Sequence, residues 1–330
     1  MVKSLKILGM GKYLPVRRVT AKELEEAHQI PKGWIVKHSG VRYRHYATFE
    51  TGAYMGAEAL KEALVKSDLV FEDLDLIISA GASFDHPIPH RACWIPKQMG
   101  KLMAGIPCFD VDSTCLSFIT ALDLASSLLD GQRYRKIAIV SSEISSKSLN
   151  YKEWESSTLL GDGAAAAIVG FSEEGEPSKV LNANMQTFAK GVANTMVFAG
   201  GNVAHGRDKT IADEAFTFHM KGRELLRLVM QITPPFVQNL FQPLDFEVKD
   251  IDLCIPHQAS KVGLKMGRRL LQLPENQYFS HLETHGNCIA ASIPMALYDA
   301  IEAKRIIRGN KVLLIGTGAG LSIGGLVLVY

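Results

Sequence analysis

The chain repeats itself. Residues Asp73–Ser83 (DLDLIISAGAS) read like Asp250–Ser260 (DIDLCIPHQAS): an acidic turn, an apolar strand, then small polar residues. From Thr114, TCLSFITALDLASSLLDGQRYRKIAIVSSE parallels NCIAASIPMALYDAIEAKRIIRGNKVLLIGTG, which starts at Asn287. Each copy has a small-residue helix start, a helix, a basic turn and a strand. The spacing is 177 residues from Asp73 to Asp250, 173 from Thr114 to Asn287 and 175 from Lys136 to Lys311. A period that long describes two half-domains, not a solenoid, whose units run to about 20–50 residues. If the halves pack about a pseudo-two-fold axis, their equivalent helix mouths approach one another.

Within each half, strands alternate with helices. TGAYMGAEALKEALVKSD and RELLRLVMQITPPFVQNLF have the apolar spacing of helices. This alternation predicts an α/β protein with a mostly parallel sheet covered on both faces. The first half carries an extra segment, about residues 144–160, before GDGAAAAIVGF, whereas the second turns straight into GTGAGLSIGGLVLVY. Both closing segments read as Gly/Ala-rich strands at close backbone packing. SEEGEPSKV (172–180) is the linker-like stretch, so the expected halves are residues 1–172 and 173–330.

Composition narrows the class. With 330 residues, 47% of them hydrophobic, the chain can bury a large core. A net charge near +2 gives no overall cation excess for nucleic acid. The start, MVKSLKILGMGKYLP, has too short an apolar run for a signal peptide, and no run of 18 apolar residues offers a membrane span. The five cysteines form no CxxC pair and no zinc-type cluster with histidine. The expectation is a cytoplasmic protein with free thiols and no metal.

One cysteine stands apart. VDSTCLSFITALDLASSLLDG (111–131) reads as a buried helix, and Cys115 opens it. The repeat sets Thr114–Cys115 opposite Asn287–Cys288. His257 ends the strand LCIP at the carboxyl edge of the sheet, where α/β proteins place their sites. Cys115, His257 and Asn287 can therefore converge. A helix N-terminus favours thiolate, the form that attacks a carbonyl or thioester carbon. An imidazole and an amide can hold a developing oxyanion or enolate. Each residue also has a plain structural reading: Cys115 as core filling, His257 as a satisfied histidine and Asn287 as a helix N-cap.

Together these motifs resemble the β-ketoacyl-acyl-carrier-protein synthase III group of the thiolase superfamily. The likeness rests on DSTCLSF, IPHQAS and HGNCIAASIP in order and spacing, with GWIVKHSGVRYRHYA, GDGAAAAIVG and GTGAGLSIGGLVL, and it covers nearly the whole chain. The resemblance implies a five-layered αβαβα sandwich of two duplicated halves, a homodimer and no cofactor. It implies Cys115 as acyl acceptor, with His257 and Asn287 binding the extender's thioester oxygen. The implied oxyanion hole is the N–H of Cys115 and that of Ala319. The implied substrates are phosphopantetheine thioesters: acyl-CoA, and malonyl-CoA or malonyl acyl carrier protein.

The sequence departs from the pattern near the presumed CoA site. The signature tryptophan is Trp34, but the arginine close behind it is His38. The arginine that packs on adenine in the family falls at Trp154, and the carrier-docking arginine after the catalytic histidine is Val262. Basic residues including Arg227 and Lys261 can restore a surface for phosphates or an acidic carrier. The chain also resembles the condensing enzyme of head-to-head hydrocarbon synthesis, which joins two acyl-CoAs without decarboxylation. That relative's glutamate falls at Ile88 here, with Asp85 nearby.

GTGAG (316–320) has the look of a dinucleotide loop, but no helix and acidic residue follow in the remaining ten residues. GMGKYLP reads as a turn between strand and loop, and His219 as structural. The loops 84–90, containing Phe84 and Ile88, and 198–213 can border an acyl tunnel. The expected activity is acyl transfer to Cys115, then Claisen condensation with a malonyl thioester, in fatty-acid or related synthesis. The alternatives are a non-decarboxylating or acyltransferring member of the superfamily, and a non-catalytic subunit of a heterodimer.

Overall fold

A computed structural model describes residues 2–330. It contains two five-stranded sheets. The first runs Lys6–Tyr13, Gly163–Gly170, Lys136–Glu143, Leu76–Ala80, Cys108–Val111 in spatial order. The second runs Lys3–Ser4, Lys179–Thr187, Ser322–Val329, Lys311–Gly318, Leu253–Pro256. Four strands of each sheet correspond in order. The counterpart of Cys108–Val111 has shrunk to a parallel bridge between Cys254 and Tyr278.

Period-two alternation divides each strand between layers. Leu76 and Ile78 face the central layer with Leu253, Ile255, Val312 and Leu314. Between the sheets in that layer lie the helices Ser117–Leu128 and Ser292–Glu302. Ile77, Ala138 and Val140 face outward onto the helix Gly52–Lys66. On the far side, Leu313, Ile315 and Val327 face the helix Gly222–Phe241. The result is helix, sheet, helices, sheet, helix: five layers, as expected.

The sheets are mixed, which corrects the expectation of mostly parallel strands. Leu76–Ala80 pairs parallel with both neighbours, and Leu253–Pro256 parallel with Lys311–Gly318. The Gly/Ala-rich closing strands pair antiparallel on both sides. The reason is the connection: Lys311–Gly318 returns as Ser322–Val329 after three residues, too few for a parallel crossover. GMGK likewise belongs to the strand Lys6–Tyr13, not to a turn. A Cβ on Gly11 would lie 2.1 Å from the Ala59 carbonyl, so glycine there lets the helix Gly52–Lys66 lie directly on the strand.

Candidate active site

The strand Cys108–Val111 delivers the chain to a tight turn. Thr114 N–H donates to the Asp112 carboxylate at 2.8 Å. Ser113 N–H donates to the Ser117 hydroxyl at 3.0 Å, and that hydroxyl donates to the Thr114 carbonyl at 2.6 Å. A short 3-10 turn, Thr114–Leu116, then becomes the helix Ser117–Leu128. Thr114 is held at φ 52°, a strained value for a β-branched residue.

The same turn occurs in the second half. Ile289 N–H donates to the Asn287 side-chain oxygen at 2.9 Å, and Cys288 N–H to the Ser292 hydroxyl at 2.9 Å. Ile289 has φ 48°. Hydrogen bond for hydrogen bond, Asp112 matches Asn287, Thr114 matches Ile289 and Ser117 matches Ser292. The register therefore differs by two residues from the pairing expected from sequence, and Cys115 has Ala290 as its counterpart. Cys288 is buried, with its thiol donating to the His285 carbonyl at 3.6 Å.

Cys115, His257, Asn287 and Ala319 all line one cavity of about 1300 Å³. Of the five cysteines, Cys115 is the one on its wall. The backbone N–H groups of Ala319 and of Cys115 itself face the thiol. Glycines bring these parts together: a Cβ on Gly316 would lie 2.6 Å from His257 Cβ, and one on Gly318 2.6 Å from the Thr114 hydroxyl. His257 is fixed by its N–H donating to the Ile315 carbonyl at 2.8 Å. Its Nδ1 is buried without a partner.

Asn287 fills its structural role and remains available for another. Its side-chain oxygen caps Ile289 N–H, which leaves the NH₂ pointing away from the turn. That NH₂ makes only a long 3.4 Å bond to the Ala259 carbonyl.

The electrostatics differ from the sequence expectation. Burial pushes the Cys115 thiol up to about 12, and the buried Glu143 adds to the effect. The N–H groups of Ala319 and Cys115 and the Thr114 hydroxyl pull it down, but they do not win. The helix mouth alone thus does not make a resting thiolate. Burial lowers His257 to about 4, so its imidazole is neutral at pH 7. The resting site is a neutral thiol beside a neutral imidazole.

Sequence reasoning passed over Glu143. It accepts from Ala82 N–H at 2.7 Å and Ser83 N–H at 2.9 Å, and so anchors the loop that carries Phe84. A carboxyl at the carboxyl end of the buried strand KIAIVSSE was the available signal. Trp34 and Phe84 line the cavity. Ile88 does not, and it is 86% exposed. Arg227 and Lys261 stand exposed on the rim, outside the cavity wall. Asp85 accepts from Gly52 N–H at 2.7 Å and Ala53 N–H at 2.8 Å, so both its oxygens hold a helix start. His219 bonds Glu153 at 2.5 Å and the Glu214 carbonyl at 2.9 Å, a structural role as expected.

Comparison with known proteins bears on the family and the fold. The family described as 3-oxoacyl-[acyl-carrier-protein (ACP)] synthase III matches residues 109–189, and its C-terminal family matches residues 242–330. The β-ketoacyl-[acyl-carrier-protein] synthase III of Aquifex aeolicus is 31% identical over 98% of this chain and 99% of its own. That of Syntrophomonas wolfei is 32% identical over 98% and 97%. The crystal structure of the Aquifex aeolicus enzyme superposes with a TM-score of 0.88 at 30% identity, covering all of both chains. A Xanthomonas campestris OleA structure superposes at 0.86 with 20% identity over 100% of this chain and 98% of its own, a likeness of fold. The chain belongs to the β-ketoacyl-acyl-carrier-protein synthase III family of thiolase-like condensing enzymes.

Proposed function

We propose that Cys115 is the acyl acceptor and that His257 and Asn287 serve a decarboxylating condensation. The observation that carries this is one cavity lined by the thiol, the neutral imidazole and the free amide NH₂, with two N–H groups facing the sulfur. In the first half-reaction the sulfur attacks the thioester carbon of an acyl phosphopantetheine, such as acyl-CoA. The N–H groups of Cys115 and Ala319 hold the oxyanion. The old C–S bond breaks, and the Cys115 proton ends on the departing thiol.

In the second half-reaction a malonyl thioester, carried by CoA or a carrier protein, loses CO₂. The electron pair of the broken C–C bond becomes an enolate, whose oxygen His257 and Asn287 stabilise by hydrogen bonding. The enolate carbon attacks the acyl-enzyme, the bond to Cys115 breaks, and the thiolate regains a proton. No general base is needed to make this enolate. A non-decarboxylating route would need one. The nearby carboxyl groups, Asp85 and Glu143, each have both oxygens committed to backbone N–H groups.

The working form is a cytoplasmic homodimer. The exposed apolar residues Ile88, Leu102 and Met103 support a partner copy on that side, as does the edge strand Cys108–Val111, which has a free flank. Trp34 and Phe84 border the bound thioester, with Ile88 offered to the partner's site and Arg227 and Lys261 at the rim. Peptide mapping after incubation with a panel of acyl-CoAs should find the thioester on Cys115. A label on Cys93, Cys108 or Cys288 with Cys115 free would overturn the assignment.

A further inference from the structure

The cavity wall draws on the outer layers of both halves. One arm enters the first half, where Ile95 and Val140 belong to the apolar cluster under the helix Gly52–Lys66. It opens at the carboxyl ends of the strands beside the one that delivers Cys115. The other arm enters the second half. Its floor is Ile315 and Ile323 on the sheet, and its side is Leu225, Val229 and Thr233 on the helix Gly222–Phe241. Those three helix residues are spaced by four, so they share one face about 12 Å long. Thr233 spends its hydroxyl on the Val229 carbonyl at 2.7 Å, which leaves the face apolar.

The second arm stays open because the helix Lys261–Leu270 lacks side chains where it meets the cavity. Gly263 and Gly267 lie one turn apart, and both line the wall. Glycine weakens a helix interior relative to alanine, so two on one face cost stability. A Cβ on Gly263 would meet only Ser260 and Ala259, so the missing side chain leaves a gap that packing does not require. A Cβ on Gly267 would lie 2.8 Å from the Tyr278 hydroxyl. Tyr278 lines the same arm, and its hydroxyl has no hydrogen-bond partner among the described residues. The arm begins beside His257. The Ile315 carbonyl on its floor accepts the His257 N–H at 2.8 Å, and Tyr278 bridges to Cys254 in the strand that leads to His257. The first arm thus lies on the side of the nucleophile, and the second on the side of the imidazole assigned to the extender.

We propose that the second arm holds an alkyl substituent on the extender, so that the extender is a 2-alkylmalonyl thioester and the product is branched next to its thioester carbonyl. This rests on the decarboxylating reading above. Loss of CO₂ leaves the electron pair on the substituted carbon. That carbon bonds the acyl carbonyl carbon, the Cys115 C–S bond breaks, and the thiolate takes a proton from water. The product is a 2-alkyl-3-oxoacyl thioester. The test starts from enzyme acylated on Cys115 and compares single-turnover rates with malonyl-CoA and 2-butylmalonyl-CoA. The butyl extender should react about tenfold faster at subsaturating concentration, because its chain leaves water for the apolar arm. Gly263→Leu fills the arm with a better helix former and should erase that preference. The ratio of the two rates is independent of how much of the variant is folded. A butyl extender no faster than malonyl-CoA, or a ratio unchanged in Gly263→Leu, would overturn the proposal alone. If Gly263→Leu instead slowed acylation of Cys115 by a long-chain donor and left the ratio as it was, the arm would belong to the primer and the proposal would fall. No CO₂ from either extender on fully acylated enzyme would overturn the decarboxylating reading, and the proposal with it.

Discussion

The turns at Ser113–Ser117 and Cys288–Ser292 are two castings of one shape. Both place a β-branched residue at positive φ, and both close with a serine hydroxyl. Both tie an N–H to a side-chain oxygen two residues earlier. They differ in two positions that matter. Where the first has Cys115 the second has Ala290, and where the first has Asp112 the second has Asn287. The comparison teaches that the turn is scaffold and the chemistry is set by substitution on it. Under the proposed roles, one copy supplies the nucleophile, and the other supplies a neutral donor on the same kind of cap. An aspartate can cap as well as an asparagine, but it has no N–H to offer an enolate.

The largest test moves the nucleophile. Cys115→Ala should lose acylation and condensation to background, a fall of roughly 10³-fold or more. Adding Ala290→Cys to that variant should not restore labelling by an acyl thioester, because Ala290 is fully buried. Intact mass of the double variant decides it: an acyl adduct at position 290 would show the two turns to be interchangeable.

Next in size is making the second turn match the first. Asn287→Asp keeps the cap oxygen and deletes the donor. Self-acylation should persist, while condensation with a malonyl thioester should fall by roughly 10²–10³-fold, the scale of a lost oxyanion donor. Equal loss in both half-reactions, seen by single-turnover kinetics, would contradict a divided site.

The pH response separates the turns by their thiols. With Cys115 raised to about 12, its thiolate fraction grows about tenfold per pH unit throughout the range below that value. Alkylation of Cys115 by iodoacetamide should therefore climb from pH 7 to 10 without a plateau, while buried Cys288 stays unlabelled in native protein. A plateau near neutral pH, followed by peptide mapping, would show a resting thiolate instead.

The smallest effect concerns the shared scaffold. Ser117→Ala strands a partly buried N–H and Ser292→Ala a buried one, so each should cost about 1–3 kcal/mol by urea unfolding. Costs that differ by much more than this would mean the two turns do not share their energetics.

The repeat, and the convergence of Cys115, His257 and Asn287 on one cavity, were legible because the halves kept their strand and helix patterns. The exact pairing was not. Aligning cysteine with cysteine is natural by letter, but the turns match by hydrogen bond, Asp112 with Asn287, and only geometry reveals that. Strand direction was hidden because a fully buried strand such as GAAAAIVG reads alike in parallel and antiparallel sheets. The thiol's protonation was misjudged because a helix mouth is visible in sequence and desolvation is not. Also invisible was the cluster of buried His281 and His285 with partly buried Asp299, completed by Lys12 from the far end of the chain.

The most direct test of the divided site starts from enzyme acylated on Cys115 and freed of excess donor. A malonyl thioester is then added, and CO₂ and product are measured in one turnover. The account predicts one CO₂ for each β-ketoacyl thioester formed, no product from a simple acyl thioester in its place, and both signals lost together in Asn287→Asp. A β-keto product formed from two simple acyl thioesters without CO₂ would contradict it.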